Sequence, residues 1–263
     1  MISSRKNNFV KPKKYLGQHF LIDNNIAKKI TESLQQKSYP IIIEIGPGMG
    51  VLTQFLINNR NKELFLVEID EESVAHLKKK FPDLKNHILQ QDFLKLDLKK
   101  TFNGQEIGII GNFPYNISSQ IIFKVLDHID LIPELSGMFQ KEVSERITAQ
   151  HGNKTYGILS VLVQTFYEAE YLFTVNENVF HPPPKVKSGV IRLSRKKDLP
   201  DIDYQFFKKI VKTAFNQRRK TLRNSLKSFN LNDNLKQARI FAMRPEQLSP
   251  DEFVKLAKMI QNE

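Results

Sequence analysis

The feature that most restricts the fold of this chain is a series of short, uninterrupted apolar runs alternating with helix-like segments. Ile41-Ile-Ile-Glu-Ile45 and Leu64-Phe-Leu-Val-Glu68 are the first two runs, and His87-Ile-Leu-Gln90 and Ile107-Gly-Ile-Ile110 the next two. Strands without polar alternation belong in a parallel sheet covered by helices on both faces. The intervening segments supply those helices. Ile26, Ile30 and Leu34 recur at four-residue spacing behind Asp23, a good N-cap, which predicts a helix from Asn24 to Gln36. A second helix begins over Leu52 to Leu56, and a polar one runs from about Glu71 to Lys80. Gly157 to Phe166 fits helix or strand by periodicity, and its length favours helix. Val190-Ile-Arg-Leu193 is a late strand. The polar stretch Arg195–Asp203, with Pro200, reads as a linker, and the pattern beyond it is helical. The expectation is a doubly wound α/β domain over residues 1–197, followed by a small helical domain over residues 198–263.

Composition narrows the partners. No apolar run reaches the roughly 18 residues of a membrane span, and the basic N-terminus has no apolar stretch of the secretory kind behind it. With no cysteine in the chain, disulfide scaffolds, thiolate metal sites and cysteine nucleophiles drop out, and a cytoplasmic location is expected. The net charge is +12, and it is concentrated. Arg5, Lys6, Lys11, Lys13 and Lys14 crowd residues 1–22, which hold no acid. Lys208, Lys209, Lys212, Arg218, Arg219, Lys220, Arg223 and Lys227 crowd residues 204–230, again without an acid. A near-neutral body with two basic segments suits a polyanion, because each phosphate contact releases counterions; a solvated face kept for solubility is the plainer reading. If Lys208 to Lys227 is one helix, seven of the eight basic residues share one stripe and Arg218 lies outside it.

Three motifs carry chemistry. Glu44-Ile-Gly46-Pro-Gly48-Met-Gly50 lies between a strand and a helix, where glycines allow a sharp turn and close approach to a ligand. Its G-x-G-x-G spacing is not that of dinucleotide folds, and Glu44 would repel a pyrophosphate but suit a cationic ammonium or sulfonium. Glu68 and Asp92 follow the next two strands. Each alone fits a helix cap or loop acid, but three acids at successive strand ends mark the edge where such sheets bind ligands. There Glu68 suits ribose hydroxyls and Asp92 an adenine amine. Asn112-Phe-Pro-Tyr115 follows the fourth strand. The Asn112 side-chain oxygen and the Phe113 carbonyl can accept both N–H groups of an exocyclic adenine amine, Pro114 stiffens the turn, and Tyr115 offers a face to an extruded base. Phe180-His-Pro-Pro-Pro184 fixes a rigid loop, either a plain connection or a holder for Phe180 as a second stacking wall. The histidines show no metal-ligand spacing, and no metal site is expected.

Taken in order, Tyr15-Leu-Gly-Gln-His-Phe-Leu21, the EIGPGMG loop, Glu68, Asp92, NFPYNIS, FHPPPKVKSGVIRL and AFNQRRKTLRNSL resemble the ribosomal RNA adenine N6-dimethyltransferases over nearly the whole chain. Within that family the chain is most similar to the bacterial enzymes that dimethylate two adjacent adenines near the 3′ end of 16S rRNA. The resemblance implies a Rossmann-like methyltransferase fold with a helical C-terminal domain, S-adenosylmethionine as methyl donor, and rRNA in a small-subunit assembly particle as partner. It implies no membrane, and a monomer is the default. By position, His19, Leu21, Gly46, Glu68, Asp92 and Asn112 would contact the donor, while Tyr115 and Phe180 would flank the target base. The family often carries Asn at the place of His19 and Leu at the place of Phe113. The competing functions are a large-subunit enzyme of the macrolide-resistance type and a non-catalytic assembly or nucleic-acid-binding protein on the same fold. The FHPPPKV and QRRKTLRNSL segments favour the small-subunit enzyme.

Overall fold

The computed structural model describes residues 10–35, 39–59 and 61–261; Arg5, Lys6 and the expected helix end at Gln36 lie outside them. The strands are β1 (Phe20–Leu21), β2 (Ile41–Ile45), β3 (Glu63–Glu68), β4 (Ile88–Gln90), β5 (Ile107–Asn112), β6 (Glu134–Gln140), β7 (Tyr167–Val175), β8 (Phe180–His181) and β9 (Ser188–Arg195). A seven-stranded sheet runs in the order β4-β3-β2-β5-β6-β9-β7, and β1 pairs with β8 in a separate two-stranded ribbon. The pairs β4–β3, β3–β2, β2–β5 and β5–β6 are parallel, as the apolar runs predict. Every residue of β2 is buried. The chain runs outward from β2 through β3 to β4, then returns to place β5 on the other side of β2. That reversal leaves a crevice beyond the carboxyl ends of β2 and β5, where ligands bind in sheets of this kind.

The expected helices hold with shifted ends. Asn24–Glu32 is capped by Asp23, whose side chain accepts from Asn25 N and Ile26 N. Glu71–Lys80 starts behind Asp70, which accepts from Ser73 N. Ile158–Phe166 is a helix, as its length suggested, and seven of its nine residues are buried. Strand β6 had no sequence signature. Glu134 and Ser136 interrupt its apolar pattern, yet both are fully buried. Glu134 accepts from Gln35 N at 2.7 Å and Tyr39 Oη at 2.8 Å, and Ser136 Oγ donates to Ile191 O at 3.1 Å. Satisfied in this way, the polar groups are tolerated in the sheet.

The chain forms two compact units, and they do not divide at residue 197. One comprises the described chain through Lys141 together with Leu172–Arg192; the other takes Glu142–Tyr171 and the chain from Leu193. The helix Ile158–Phe166 explains the difference from a single boundary. Being apolar nearly all round, it needs cover on several sides, and within the second unit it packs on the helices Tyr204–Asn216 and Pro250–Gln261. The basic segment also departs from expectation. Its helix stops at Asn216, and a second, four-residue helix, Leu222–Ser225, follows a turn. Leu222 and Leu226 go into the core of that unit, with Leu222 N donating to Met243 O at 2.8 Å. The single helical stripe of seven basic residues therefore does not exist.

Candidate active site

The crevice at the carboxyl ends of β2 and β5 is a cavity built within the first unit. Five segments line it: Leu16–Leu21, Glu44–Leu52 apart from Gly50, Val67–Ile69, Gln91–Leu94 and Asn112–Ile117. Each sequence motif except the proline loop contributes. The glycine loop turns through left-handed conformations at Gly46, Gly48 and Gly50. At Gly48, φ is 52° and a Cβ would come within 2.8 Å of the Phe20 ring; only glycine lets the N-terminal segment lie that close. The helix behind the loop is one turn long, Thr53–Leu56, so the loop itself supplies the polar backbone facing the cavity.

The three acids differ in state. Glu44 is 1% exposed and accepts from Thr53 Oγ1 at 2.6 Å. Burial pushes its carboxyl up to about 8, against the opposing pull of that hydrogen bond. Near neutral pH it is therefore largely protonated, which qualifies its expected role as a standing negative charge for a cation. Glu68, also buried, accepts from Asp70 N at 2.9 Å on one oxygen and from Gly48 N at 3.1 Å on the other. Burial raises its pKa, and the two backbone donors oppose the rise. Each oxygen keeps a second lone pair for ligand hydroxyls. Asp92 both lines the cavity and caps a short helical turn, accepting from Leu94 N on Oδ1 at 2.9 Å. The capping and ligand readings of this residue are compatible.

Across the crevice, Asn112 ends β5. Its Nδ2 donates to His19 O at 3.0 Å, which orients the amide and leaves Oδ1 as an acceptor without a partner among the described residues. Phe113 follows with its ring 1% exposed, packed 4.6 Å from Phe139, and its N–H donating to Met138 O. The buried ring leaves only the backbone carbonyl for a ligand. Pro114 holds the next turn, its carbonyl accepting from Ile117 N at 3.2 Å and Ser118 Oγ at 3.1 Å. Tyr115 is stacked on His19 with ring centroids 5.5 Å apart and hydrogen-bonded through its hydroxyl to Ser188 Oγ at 2.6 Å. His19 Nδ1 donates to Pro182 O at 2.8 Å; a carbonyl only accepts, so this nitrogen carries the hydrogen. Leu21 reaches the cavity from β1.

Phe180 does not join them. Its ring is 3% exposed in the main core and lies outside the cavity lining, because β8 pairs with β1 in the register Leu21↔Phe180. In this conformation it is no second stacking wall. The proline loop reaches the site instead through the Pro182 carbonyl. Sequence reasoning also missed Ser188, which sits inside the quoted KVKSG stretch but gave no chemical signal. Ile69 was missed as well, an exposed apolar residue beside Glu68 that lines the cavity. Lys13, hidden in a charge run, pairs with Asp70 and with Glu72 at 3.1 Å. Its hydrogen bond to Asp70 holds the Lys13 ammonium above the usual lysine range.

The arrangement is thus a pair of buried or capped carboxylates on one side and two neutral acceptors with an aromatic face on the other. It suits an adenosine-like ligand beside a second, amine-bearing ring. Comparison with known proteins agrees. Residues 9–262 match the family described as ribosomal RNA adenine dimethylase. The chain is 57% identical over 254 residues to the ribosomal RNA small subunit methyltransferase A of Flavobacterium johnsoniae, covering 96% of this chain and 97% of that one. It is 59% identical to the protein of the same description from Parabacteroides distasonis, covering 96% and 95%. Among solved structures, a dimethyladenosine transferase from Plasmodium falciparum superposes with a TM-score of 0.79 at 26% identity, covering 93% of this chain and 98% of that one. A fold, a strand-edge cavity and a whole-length match thus converge, and the chain belongs to the ribosomal RNA adenine dimethylase family.

Proposed function

We propose that this protein transfers methyl groups from S-adenosylmethionine to N6 of two adjacent adenines near the 3′ end of 16S rRNA, yielding dimethyladenosines. The observation that carries the reading is the pair of acceptors, Asn112 Oδ1 and the Phe113 carbonyl, in one cavity with Glu68 and Asp92. The residues fit the donor: Glu68 has lone pairs for two ribose hydroxyls, Asp92 for an adenine amine, and the glycine loop admits close backbone contact. His19 and Leu21 border the same space from the N-terminal segment. When bound, the donor supplies an electrophilic methyl on a cationic sulfonium.

The chain's own residues then act on the acceptor. Tyr115, held by Ser188 and His19, presents a fixed ring for the extruded adenine. Asn112 Oδ1 and the Phe113 carbonyl accept the two N6 hydrogens and hold the amine with its lone pair turned toward the methyl. With the donor held by Glu68, Asp92 and the glycine loop, that lone pair would form the new C–N bond as the sulfonium left with the electrons of its S–CH3 bond. The methylated nitrogen is then cationic and acidic enough to lose its proton to water, so no general base is needed beforehand. Preorganised acceptors of this kind act where charge develops. The helical unit, with Arg219, Lys220 and Lys227 exposed, serves as the RNA-docking part. A small-subunit assembly particle as substrate, a monomeric state and a cytoplasmic location complete the proposal. Among the described residues no helix is long and apolar enough to cross a membrane.

The large-subunit alternative is not favoured, since the relatives at 51–59% identity are described as small subunit methyltransferases. The test is incubation with radiolabelled methyl donor and each undermethylated ribosomal subunit separately. Label confined to dimethyladenosine in 16S rRNA is expected; label in the large subunit, or none, overturns the reading.

A further inference from the structure

The N-terminal segment beside the cavity is held at both ends. At its far end, Phe20–Leu21 lines the cavity and pairs antiparallel with Phe180–His181, and Ile22 N donates to Val179 O at 2.9 Å. Before it, Lys13 Nζ is paired with Asp70 Oδ1 and lies 3.1 Å from Glu72 Oε1. The Lys13 N–H also donates to Gln18 Oε1 at 2.8 Å, closing residues 13–18 into one turn. Leu16–Leu21 line the cavity, while Lys13, Asp70 and Glu72 do not. Both ends of the site are wired to this segment. Asp70, which receives Lys13, donates its own N–H to Glu68, and the His19 carbonyl in mid-segment receives Asn112.

The character of the ion pair suits a clasp. The Asp70 side chain is 2% exposed and that of Lys13 is 23% exposed. Removing the ammonium would strand a buried carboxylate, so the closed state is favoured. Lys13 itself stays near solvent, so the pair can open without unfolding the unit. Glu72 is 58% exposed and adds less. A reaction that places several methyl groups needs a fresh donor for each, and the segment lies over the space the donor occupies.

We propose that Lys13 is a positioning residue whose pairing with Asp70 and Glu72 clasps the segment 13–22 over the donor cavity, retaining the donor and orienting Asn112 while shut. Donor and spent product exchange when the clasp opens. The inference rests on the donor-site reading given above.

The test uses the full-length protein with S-adenosylhomocysteine, by calorimetry for affinity and stopped-flow for release, so that RNA is not required. Lys13→Met should weaken binding by about five- to tenfold, through faster release. Lys13→Arg should restore most of it. Asp70→Asn keeps an acceptor for the Ser73 cap, and in that background Lys13→Met should cost only the small remainder due to Glu72. With RNA and saturating donor, Lys13→Met should also lower kcat, since Asn112 is held through His19. Unchanged affinity and release in Lys13→Met, or equal losses in both backgrounds, overturn the clasp. Failure of the wild-type protein to bind S-adenosylhomocysteine at all would instead overturn the donor-site reading itself.

Discussion

Glu44 makes the stability of this protein depend on pH in a direction opposite to most acids. Its carboxyl lies on β2 of the seven-stranded sheet, hydrogen-bonded by Thr53, and burial lifts it from 4.5 to about 8. Unfolded, the same residue titrates near its ordinary value. Between the two pKa values the native state holds a proton that the unfolded state has lost, so stability falls as pH rises through that window and levels off above it. Below the lower value the cost is absent. At about 1.4 kcal/mol per unit, the full window is worth on the order of 5 kcal/mol as an upper bound. Glu68 shifts in the same direction and adds to the slope. Glu44→Gln keeps an acceptor for Thr53 and removes the ionisation. Urea unfolding at pH 5, 7 and 9 should show the variant gaining on the wild type as pH rises, with most of the gain before pH 9. A stability difference that is constant across those pH values would falsify the burial argument. The same group gives a binding signature. A cationic donor beside Glu44 stabilises its ionised form, so binding at pH 7 should release protons, seen as a dependence of the calorimetric heat on the buffer's ionisation enthalpy. Affinity should rise with pH toward 8, and Glu44→Gln should lose both effects.

Asn112→Ala removes one of the two amine acceptors and should lower the methylation rate by on the order of 100-fold or more, with RNA affinity within a few-fold; normal turnover sinks the assignment. Glu68→Ala should weaken donor binding by roughly 1.5–3 kcal/mol, the range for hydrogen bonds to a charged partner, and Asp92→Ala should be milder; unchanged affinity in both removes the strand-edge site. Arg219→Glu with Lys220→Glu should weaken RNA binding and flatten the slope of log affinity against log salt by roughly 1.4–1.8, at about 0.7–0.9 per lost contact, while donor binding stays normal. Arg218 and Arg223 are unsuited to that test, because Arg218 donates to Lys154 O and Asn153 O and Arg223 to Lys236 O.

What the sequence disclosed follows from how local each feature is. Strands β2 to β5 were legible because a strand buried on both faces is a continuous apolar run. Glu44, Glu68, Asp92 and Asn112 were legible because a doubly wound fold puts ligands at strand ends, and strand ends are visible as the places where apolar runs stop. Strand β6 was hidden because Glu134 and Ser136 look like surface residues until Gln35, Tyr39 and Ile191, all distant in sequence, are seen to satisfy them. The basic segment failed for the opposite reason. Its periodicity was real over Tyr204–Asn216, but continuing it to Lys227 assumed a helix that ends at Asn216, where the Gln217 backbone leaves helical angles and the chain turns before Leu222–Ser225. Phe180 shows the same limit beside the site. A run of prolines fixes a loop's stiffness, but the direction of the preceding ring depends on which strand β8 meets. Pairing with β1 turns that ring into the core and sends the loop's Pro182 carbonyl to His19 instead. His19 thereby joins three sequence-distant parts: its ring meets Tyr115, its nitrogen meets the proline loop, and its carbonyl meets Asn112. The candidate catalytic residues can be read from their own motif, but the forces that aim them come from segments elsewhere in the chain, and those are recovered only once the sheet order is known.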